Sequence, residues 1–437
     1  MLNFVISGWE GGVSFSKYRG ITNSSALLTN INIRTTPEAI SLNQALKLDS
    51  GTIITDKPIR ILQAGNDIYA FGDTGNIYKK TSGTWSKVYT GGTPIYDGAY
   101  FYEKIYWTTA TKLYRCAITS ANWATDKEEV SVDNDLENTT YHSMYSVGDH
   151  LFICNGRYVA TVKVSTEVAV FQKNSLDFNK DWGVRSLNLL KPLLIIGATS
   201  SGRSKTFTWD FINSAESWEE VAGLEEGTIT EFKEAGGSLI AAIGSKLFYY
   251  NGLGSLPIFD FGKDINFASL TFYNGILNLS TSEGIWSFGR KDKNLPQVPV
   301  LEYVCSGATA LLGTTSQLYV GVQDGVKVID TTLKATTGTI ETLVISEKKK
   351  YIFRGVEYYF DKLPASTSIQ LYYKNEIDTT WKAFKNASGT AQVANTTNQT
   401  FDKVQANEQV KELQIKIVLT GHLNTSPTLR SVKILFD

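Results

Sequence analysis

The chain contains little cysteine, and its cysteines lie far apart. Cys116, Cys154 and Cys305 offer none of the close pairs that zinc sites and redox motifs use. An odd number of cysteines also leaves a disulfide framework incomplete. We therefore expect buried free thiols, which pack as small apolar side chains.

An excess of positive charge is missing as well. The 437 residues include 42 Lys and Arg against 43 Asp and Glu, which gives a formal net charge of -1. A protein that coats DNA or adheres to an acidic membrane surface carries a basic excess. The sequence therefore predicts no specific nucleic-acid binding.

Long apolar runs are absent too. The first residues have no basic leader and no apolar stretch of signal-peptide length, and no later segment approaches the roughly 18 apolar residues of a membrane span. We expect synthesis in the cytoplasm and no membrane insertion.

The composition that is present is one of strands and turns. Aromatic residues make up 12% of the chain, with 22 Tyr, and 36 Gly accompany only 9 Pro. Tyr, Thr, Val and Ile separated by Gly, Asn and Asp favour strands joined by tight turns. The sequence predicts an all-β fold.

The sequence also contains a repeat of about 40 residues, a period that is typical of propeller blades. Each copy has a turn signal, an apolar pair, a second turn and a second apolar pair, as in a β-hairpin. The two apolar pairs of the seven copies begin at Ile68 and Ile77, Ile105 and Leu113, Leu151 and Tyr158, Leu193 and Phe207, Leu239 and Leu247, Ile276 and Ile285, and Leu318 and Val326.

Seven units of this length predict a seven-bladed β-propeller over residues 46–338. One blade cannot bury both of its faces, and closing a ring removes exposed sheet ends. The last copy lacks a strand, so we expect residues 38–48 to complete the final blade and close the ring. Residues 84–88 and 217–221 are interpreted as outer strands whose tryptophans pack in the core.

The two ends differ from the repeat. Residues 339–437 show longer strands with alternating polar and apolar residues, for example at 369–373 and 413–419, which predicts a C-terminal β-sandwich. Residues 386–398 are interpreted as a loop within it. Residues 1–45 are interpreted as an N-terminal arm that ends in the ring-closing strand.

Both ends carry strings that resemble known proteins. The arm contains GGVSFSKYRGITNS at 11–24, IRTTP at 33–37 and ISLN at 40–43, and the end of the chain contains LQIKI at 413–417, LTG at 419–421 and SPTLRSV at 426–432. These strings resemble the ends of structural proteins encoded in tailed-bacteriophage genomes. The resemblance implies a virion protein, a ring, nozzle or tip element of the tail, made in the host cytoplasm.

The resemblance also implies partners. Such a protein forms a homo-oligomeric ring and docks other tail or capsid proteins. Because the arm lies outside the repeat, we assign the assembly contacts to it. The candidate contact residues are Gly11, Gly12, Ser16, Tyr18, Gly20 and Asn23.

We expect neither catalysis nor metal binding. The histidines, His142, His150 and His422, are too few for most metal sites or catalytic triads. A sialidase-like propeller enzyme needs clustered arginines, which the sequence does not group, and residues 81–85 lack the Asp of its Asp-box turn. We therefore expect no enzyme and no cofactor or metal.

Four aspartates near predicted turns are expected to cap the backbone and not to bind calcium, namely Asp73, Asp149, Asp210 and Asp324.

Two other functions stay open. A receptor- or glycan-binding virion protein would stack sugar rings on exposed aromatic side chains, so a tryptophan exposed in a groove would favour it. A hydrolase would require converging carboxylates or an arginine cluster in the central channel.

Overall fold

The computed structural model describes residues 2–14, 16, 18, 20, 24–35, 38–165, 168–210, 219–252, 254–290, 297–386 and 388–437. Within this part of the chain, secondary structure is almost entirely β-strand, with one helix of four residues. The strands before the first repeat are β1 Leu2–Ile6, β2 Ser25–Thr29, β3 Ile31–Asn32, β4 Ser41–Leu42 and β5 Gln44–Leu48.

The repeats contribute four consecutive strands each, except the last, which contributes three. The first four repeats contain β6 Pro58–Ala64, β7 Asp67–Gly72, β8 Ile77–Thr81 and β9 Thr84–Tyr89; β10 Asp97–Phe101, β11 Lys104–Thr108, β12 Leu113–Ala117, helix α1 Trp123–Asp126 and β13 Glu128–Glu129; β14 Met144–Val147, β15 His150–Asn155, β16 Tyr158–Ser165 and β17 Val168–Asp177; and β18 Gly183–Leu190, β19 Leu193–Ser200, β20 Arg203–Trp209 and β21 Glu219–Glu226.

The remaining repeats follow the same order. They contain β22 Ile229–Ala235, β23 Ser238–Ile243, β24 Lys246–Tyr250 and β25 Ser255–Asp260; β26 Thr271–Tyr273, β27 Ile276–Thr281, β28 Gly284–Gly289 and β29 Val298–Val304; and β30 Leu311–Gly313, β31 Leu318–Val322 and β32 Gly325–Lys334. In every repeat the apolar pairs of the sequence pattern lie in the two central strands.

Tight turns connect these strands. Ser82 and Gly83, between β8 and β9, have φ of 50° and 86°, and Asn274 and Gly275, between β26 and β27, have φ of 50° and 74°. Two successive positive φ angles are what a type I′ hairpin turn needs, and this turn matches the twist of the paired strands. The Ser-Gly turn after the second apolar pair of the first repeat and the Asn-Gly turn before the first apolar pair of the sixth repeat therefore set the register of these hairpins.

The repeats form a closed ring. The first strand of one repeat packs beside the first strand of the next from β6 through β22, and β30 packs beside β6. Apolar side chains fill the space between neighbouring sheets; Phe152 and Val159 of the third repeat meet Ile196 and Phe207 of the fourth. At the closure, Thr309 Oγ1 donates a hydrogen bond of 2.6 Å to the Pro58 carbonyl oxygen.

The last sheet takes its fourth strand from the N-terminal region. Strand β5 pairs antiparallel with β32, with Leu48 opposite Lys327 and Ala45 opposite Asp330. The first and last parts of the ring are therefore joined within one sheet, so opening the ring requires breaking this ladder.

The C-terminal strands are β33 Thr337–Thr342, β34 Ile345–Phe360, β35 Ser368–Asn375, β36 Lys382–Ala383, β37 Val393–Ala394, β38 Phe401–Thr420 and β39 Leu429–Phe436. The first half of β38 pairs with β34, and its second half pairs with β33 and β35. Phe353 of β34 lies 5.9 Å from Phe436 and 6.0 Å from Phe384, measured between ring centroids. The long strands thus surround an aromatic core.

The predicted seven separate blades differ from the structure in one respect. Six four-stranded sheets are separate, whereas the four strands of the sixth repeat belong to a thirteen-stranded sheet that also contains the C-terminal strands. The cause is β2, where Thr29 pairs in parallel with Leu301 of β29 and Leu28 pairs antiparallel with Ile340 of β33. The chain is an all-β protein with a propeller of six separate blades and an additional sheet.

The N-terminal arm is part of this additional sheet. Strand β1 pairs with β39, and Trp9, at 2% exposure, packs in the same core cluster as Leu28 and Phe353. The arm is thus built into the fold. No helix of the described residues is long and apolar enough to cross a membrane.

Candidate functional site

Three charged side chains meet across the centre of the ring. Arg60 Nη2 of β6 lies 3.0 Å from Asp97 Oδ2 of β10, and Arg60 Nη1 lies 3.8 Å from Glu231 Oε1 of β22. Asp97 also accepts a hydrogen bond of 2.8 Å from the Met144 backbone N–H. Glu231 accepts one of 2.9 Å from the Leu270 backbone N–H. The cluster therefore connects five of the seven repeats.

Burial determines what this cluster can do. Asp97 has no exposed surface, and burial raises the pKa of Glu231 while the Arg60 charge opposes that rise. Buried charges of opposite sign with complete hydrogen bonding stabilise each other, and removing one partner leaves the other uncompensated. The cluster is thus suited to holding the ring together, since Asp97 cannot reach a substrate.

A β-bulge occurs in the first strand of three repeats, and in β6 and β22 it lies one residue before Arg60 and Glu231. The antiparallel ladder skips Ile59 in β6, Arg185 in β18 and Thr230 in β22. A bulge re-aims the side chain of its extra residue. All three residues line a cavity of about 250 Å³ at the mouth of the channel, together with Ile95, Tyr96, Thr140, Tyr141, Thr228, Ile229 and Phe267.

Arg185 is the one charged residue among those that line this cavity. Its guanidinium carbon lies 3.3 Å from the centroid of the Tyr141 ring, a stacked cation–π contact. Its Nε is buried and has no hydrogen-bond partner among the described residues. Burial lowers the pKa of the Arg185 guanidinium. The side chain is thus a partly desolvated cation held by an aromatic ring.

Arg185 also reaches a second, polar cavity. We call it the inter-repeat groove; it has a volume of about 450 Å³ and lies between the third and fourth repeats. Trp182 is half-buried in its wall, 5.8 Å from the Phe207 ring, with Lys205 Nζ 5.6 Å from the indole. Its other lining residues are Glu137, Asn138, Thr139, Tyr141, Gly156, Arg157, Tyr158, Lys180, Asp181, Gly183, Thr199, Ser200 and Ser201.

Hydrogen bonds and ion pairs fix the walls of the inter-repeat groove. The Val184 backbone N–H donates to the Gly156 carbonyl oxygen at 2.8 Å, which connects the two repeats. Glu137 pairs with Lys173 at 3.0 Å, and Arg157 Nε lies 3.4 Å from Asp177. Several charges of the rim are therefore neutralised within the chain.

The structure places the predicted assembly residues in two environments. Gly11 and Gly12 are buried, and a Cβ on Gly12, at φ of 61°, would lie 2.6 Å from Val298 Cβ. Ser16 is half-buried, whereas Tyr18 and Gly20 are exposed. Asn23 lies outside the described residues. Gly11, Ser16 and Gly20 line one groove of about 480 Å³ against β25 and β29 of their own chain.

His142 and His150, considered above as candidate metal ligands, each contact other groups of the chain. His142 is buried, with Nδ1 2.8 Å from the Cys154 carbonyl oxygen and Nε2 3.1 Å from that of Ala110. His150 Nδ1 lies 2.6 Å from Asp149 instead. Within the described ranges, no group of three or more His, Cys, Asp or Glu could hold a metal ion. The cysteines are buried and free, which confirms that prediction.

Most described tryptophans belong to the core. Trp85, the predicted wedge of an outer strand, is buried and donates through Nε1 to Asp49 at 2.7 Å, whereas Trp218 lies outside the described residues. The other buried tryptophans are Trp9, Trp107, Trp123, Trp209 and Trp286. Trp182 and Trp381 are half-buried. Of these two, Trp182 lines the inter-repeat groove.

Sequence reasoning missed the residues at the channel. Arg60, Arg185 and Glu231 are charged residues among the apolar residues of inner strands, a signal that the sequence does contain. What it does not contain is the bulge that turns Arg185 toward the mouth, or the ring closure that brings Glu231 to Arg60.

Comparisons with known proteins show the fold alone. No protein-family model and no curated protein matches the chain. Virginiamycin B lyase of Staphylococcus aureus with quinupristin has a TM-score of 0.50 at 11% identity, covering 65% of this chain and 99% of that one. An exo-beta-1,3-galactanase of Phanerochaete chrysosporium has a TM-score of 0.33 at 10% identity, covering 89% and 100%. The extracellular domain of the putative hybrid two component system BT4673 of B. thetaiotaomicron has 0.49 at 11%, covering 90% and 63%.

Proposed function

We propose that this chain is a structural component of a tailed-bacteriophage particle, a ring, nozzle or tip element of the tail. The observation that carries the proposal is that its two phage-like ends meet. Ile40 and Leu429 exchange two backbone hydrogen bonds, of 3.0 and 2.9 Å, and the Leu42 N–H donates to Ser426 Oγ at 2.9 Å. The resemblance thus falls on one continuous part of the fold.

The proposed role is that of a rigid docking body. The additional sheet is continuous with the sixth repeat, and the cluster around Arg60 ties the ring across its centre. A stiff body of this kind suits a symmetric assembly in which each copy meets its neighbours through fixed surfaces. The partners are further copies of this chain and other tail or capsid proteins, and the chain reaches the virion after synthesis in the host cytoplasm.

We assign the assembly contacts to the exposed part of the arm. Tyr18, at 47% exposure, and Gly20 present surface that a neighbour can reach, with Ser16 beside them. Gly12 packs against Val298, and Gly11 lines the same groove as Ser16 and Gly20. Asn23 remains a predicted contact.

We also propose a finer description of the fold: seven blades and a C-terminal sandwich. The sixth repeat has four antiparallel strands in the order of the other blades. It touches both neighbours, since Glu231 accepts from the Leu270 N–H and the Gly313 N–H donates to Thr271 Oγ1 at 2.8 Å. The facing aromatic residues Phe353 of β34, Phe436 of β39 and Phe384, which follows β36, support the sandwich.

The proposed role involves no reaction. The carboxylates that converge in the channel are engaged by Arg60 and by backbone N–H groups, and Asp97 is fully buried. A balanced formal charge of -1 supports the absence of specific nucleic-acid binding. The proposal accordingly includes no cofactor, no metal and no membrane insertion.

The test is the mass of the full chain in solution. Light scattering is expected to give a multiple of 48.3 kDa, and Tyr18→Asp to shift the distribution toward the monomer. Tyr359→Asp, the same change at an exposed tyrosine of β34, is the control and leaves the mass unchanged. A monomer at every concentration would argue against a homo-oligomeric ring of several copies of the chain.

A second candidate function is receptor or glycan binding. It is favoured by the inter-repeat groove, where the half-buried Trp182 and the neighbouring Tyr158 supply aromatic surface beside polar groups. Such surfaces stack on the apolar faces of sugar rings. The two functions are compatible, because a tail protein can also contact the host surface.

A further inference from the structure

Arg185 carries a positive charge that nothing in the described chain neutralises. It forms no ion pair, and its Nε is buried without a hydrogen-bond partner. Most other arginines of the core and of the repeats are paired: Arg34 with Glu302, Arg60 with Asp97, Arg115 with Glu128 and Arg157 with Asp177. A desolvated cation without a counter-ion costs stability, so its presence calls for a ligand.

The geometry of Arg185 suits an oxyanion. The Arg185 guanidinium carbon lies over the Tyr141 ring at 3.3 Å, so the ring contacts the guanidinium without accepting a hydrogen bond from its in-plane N–H groups. A planar fork of N–H donors matches a carboxylate or a phosphate through two parallel hydrogen bonds. Tyr141 therefore orients the donors without using them.

Arg185 lies where an oxyanion can reach it from solvent. Arg185 lines both the apolar mouth of the channel and the polar inter-repeat groove. Lys180 and Asp181 lie at the exposed rim of the groove, whereas Glu137 is paired with Lys173. An anion that enters the groove thus passes Lys180 at the rim and meets Arg185 at the inner end.

The remaining lining of the inter-repeat groove suits a sugar. Trp182 and Tyr158 supply aromatic surface, and Asn138, Thr139 and Ser200 supply neutral hydrogen-bonding side chains. An apolar ring face beside a few polar groups is the usual composition of a small-ligand site. The volume of about 450 Å³ is within the range of such sites.

We propose that the inter-repeat groove binds an acidic saccharide, whose carboxylate or phosphate forms a forked ion pair with Arg185 while its ring packs beside Trp182. This inference rests on the second candidate function, glycan binding, and does not depend on the structural role in the particle. Arg185 and Tyr141 are binding residues in it, and no bond is made or broken.

The experiment measures binding of three probes to the full chain by isothermal titration calorimetry at low salt. The probes are a glucuronate-containing hyaluronan tetrasaccharide, glucose 6-phosphate and the neutral cellotetraose. We expect an acidic probe to bind and Arg185→Gln to weaken it at least tenfold, roughly the value of one charged hydrogen-bonded contact. The matched control is Arg430→Gln, since Arg430 is an exposed arginine paired with Asp361.

Two further variants distinguish a ligand-binding role of the Arg185 guanidinium from a role in the stability of the fold. Arg185→Met removes the uncompensated cation, so its melting temperature is expected to be no lower than that of the native chain, and an acidic probe is expected to raise only the native value. Gly183→Ala keeps the charge but places a Cβ 2.5 Å from the Tyr141 hydroxyl, which displaces the stacked ring and weakens binding. A structural Arg185 would instead lose stability on substitution.

The outcomes are distinguishable. Binding of hyaluronan or of glucose 6-phosphate supports the proposal and tells carboxylate from phosphate. Binding of cellotetraose as tightly as the acids, unaffected by Arg185→Gln, overturns the anion site and leaves glycan binding intact. No binding of any probe at millimolar concentration overturns both.

Discussion

At the scale of residues, two buried tyrosines differ in how their hydroxyls are satisfied. The Tyr250 hydroxyl is buried without a hydrogen-bond partner among the described residues, and burial raises the pKa of Tyr250 to about 12. The Tyr358 hydroxyl donates to Asp402 at 2.8 Å. An unsatisfied buried hydroxyl costs about 1–3 kcal/mol, whereas a satisfied one stabilises the fold modestly.

Tyr250→Phe is therefore expected to leave the free energy of unfolding unchanged or to raise it by up to about 1 kcal/mol. The matched change Tyr358→Phe is expected to lower it by about 1–2 kcal/mol, since Asp402 loses a donor. Chemical denaturation of both variants measures the difference. Equal losses in both would show that Tyr250 has a partner.

His142, which is buried in the propeller, is expected to make the stability of the folded chain depend on pH. Burial in a water-excluded position lowers the pKa of His142 from its ordinary value of 6.5, although the Cys154 and Ala110 carbonyl oxygens beside its ring nitrogens oppose that shift. Below pH 6.5 the unfolded chain takes up a proton that the folded chain resists. Stability is therefore present above 6.5 and lost as the pH falls toward the lowered pKa.

His142→Gln is expected to flatten the fall of the melting temperature between about pH 7 and pH 5, since the amide does not titrate. Native protein and His150→Gln, which leaves the buried ring in place, are the references. An unchanged slope in His142→Gln would assign the acid sensitivity to other groups.

Substitution in the charged cluster of Arg60, Asp97 and Glu231 is expected to destabilise the propeller strongly. Arg60→Met leaves Asp97 and Glu231 facing each other without a cation, so we expect a loss of about 3–5 kcal/mol. Arg203→Met, at an exposed position of β20, is the control, for which a change within about 0.5 kcal/mol is expected. Thermal unfolding separates the two.

At the scale of elements, the hairpins could be predicted from the sequence and the connections between sheets could not. Pairs such as Ile105 with Leu113, bounded by turn residues, reappear in the central strands because alternation and turn chemistry are local properties. The link between the ring and the additional sheet depends on Thr29 meeting Leu301, which no local pattern encodes. The predicted separate sixth blade is therefore where the sequence-based description fails.

The candidate site shows the same division. That Arg60 and Arg185 are charged within strands is visible in the sequence. Their convergence with Asp97 or Tyr141 depends on bulges and on the order of repeats around the ring. The pairing of the arm with β39 and the burial of Trp9 are tertiary effects that no local pattern encodes.

The arm element leads to a prediction about truncation. Removing residues 1–35 deletes β1, β2 and the buried Trp9, so it exposes an edge of β39 and opens the core cluster around Phe353. We expect the melting temperature to fall well below that of the native chain, as loss of Trp9 alone costs about 3–5 kcal/mol. A truncated chain with native stability would show that the arm is dispensable for folding.

At the scale of the whole molecule, the chain combines a closed ring with a sheet that its two ends build together. The ring is tied across its centre by Arg60, Asp97 and Glu231 and closed by β5, and the additional sheet is anchored to it by β2. These features support a stiff body for assembly, and the uncompensated Arg185 marks one groove on it where binding is expected.

The central claim is that this chain is part of a phage particle, and the most direct measurement is peptide mass spectrometry across a density gradient of particles from the phage-producing culture. We predict that peptides of the chain co-sediment with the capsid proteins at a constant ratio through successive purifications. Recovery of the chain in the lysate but not in the particle fraction would contradict the account.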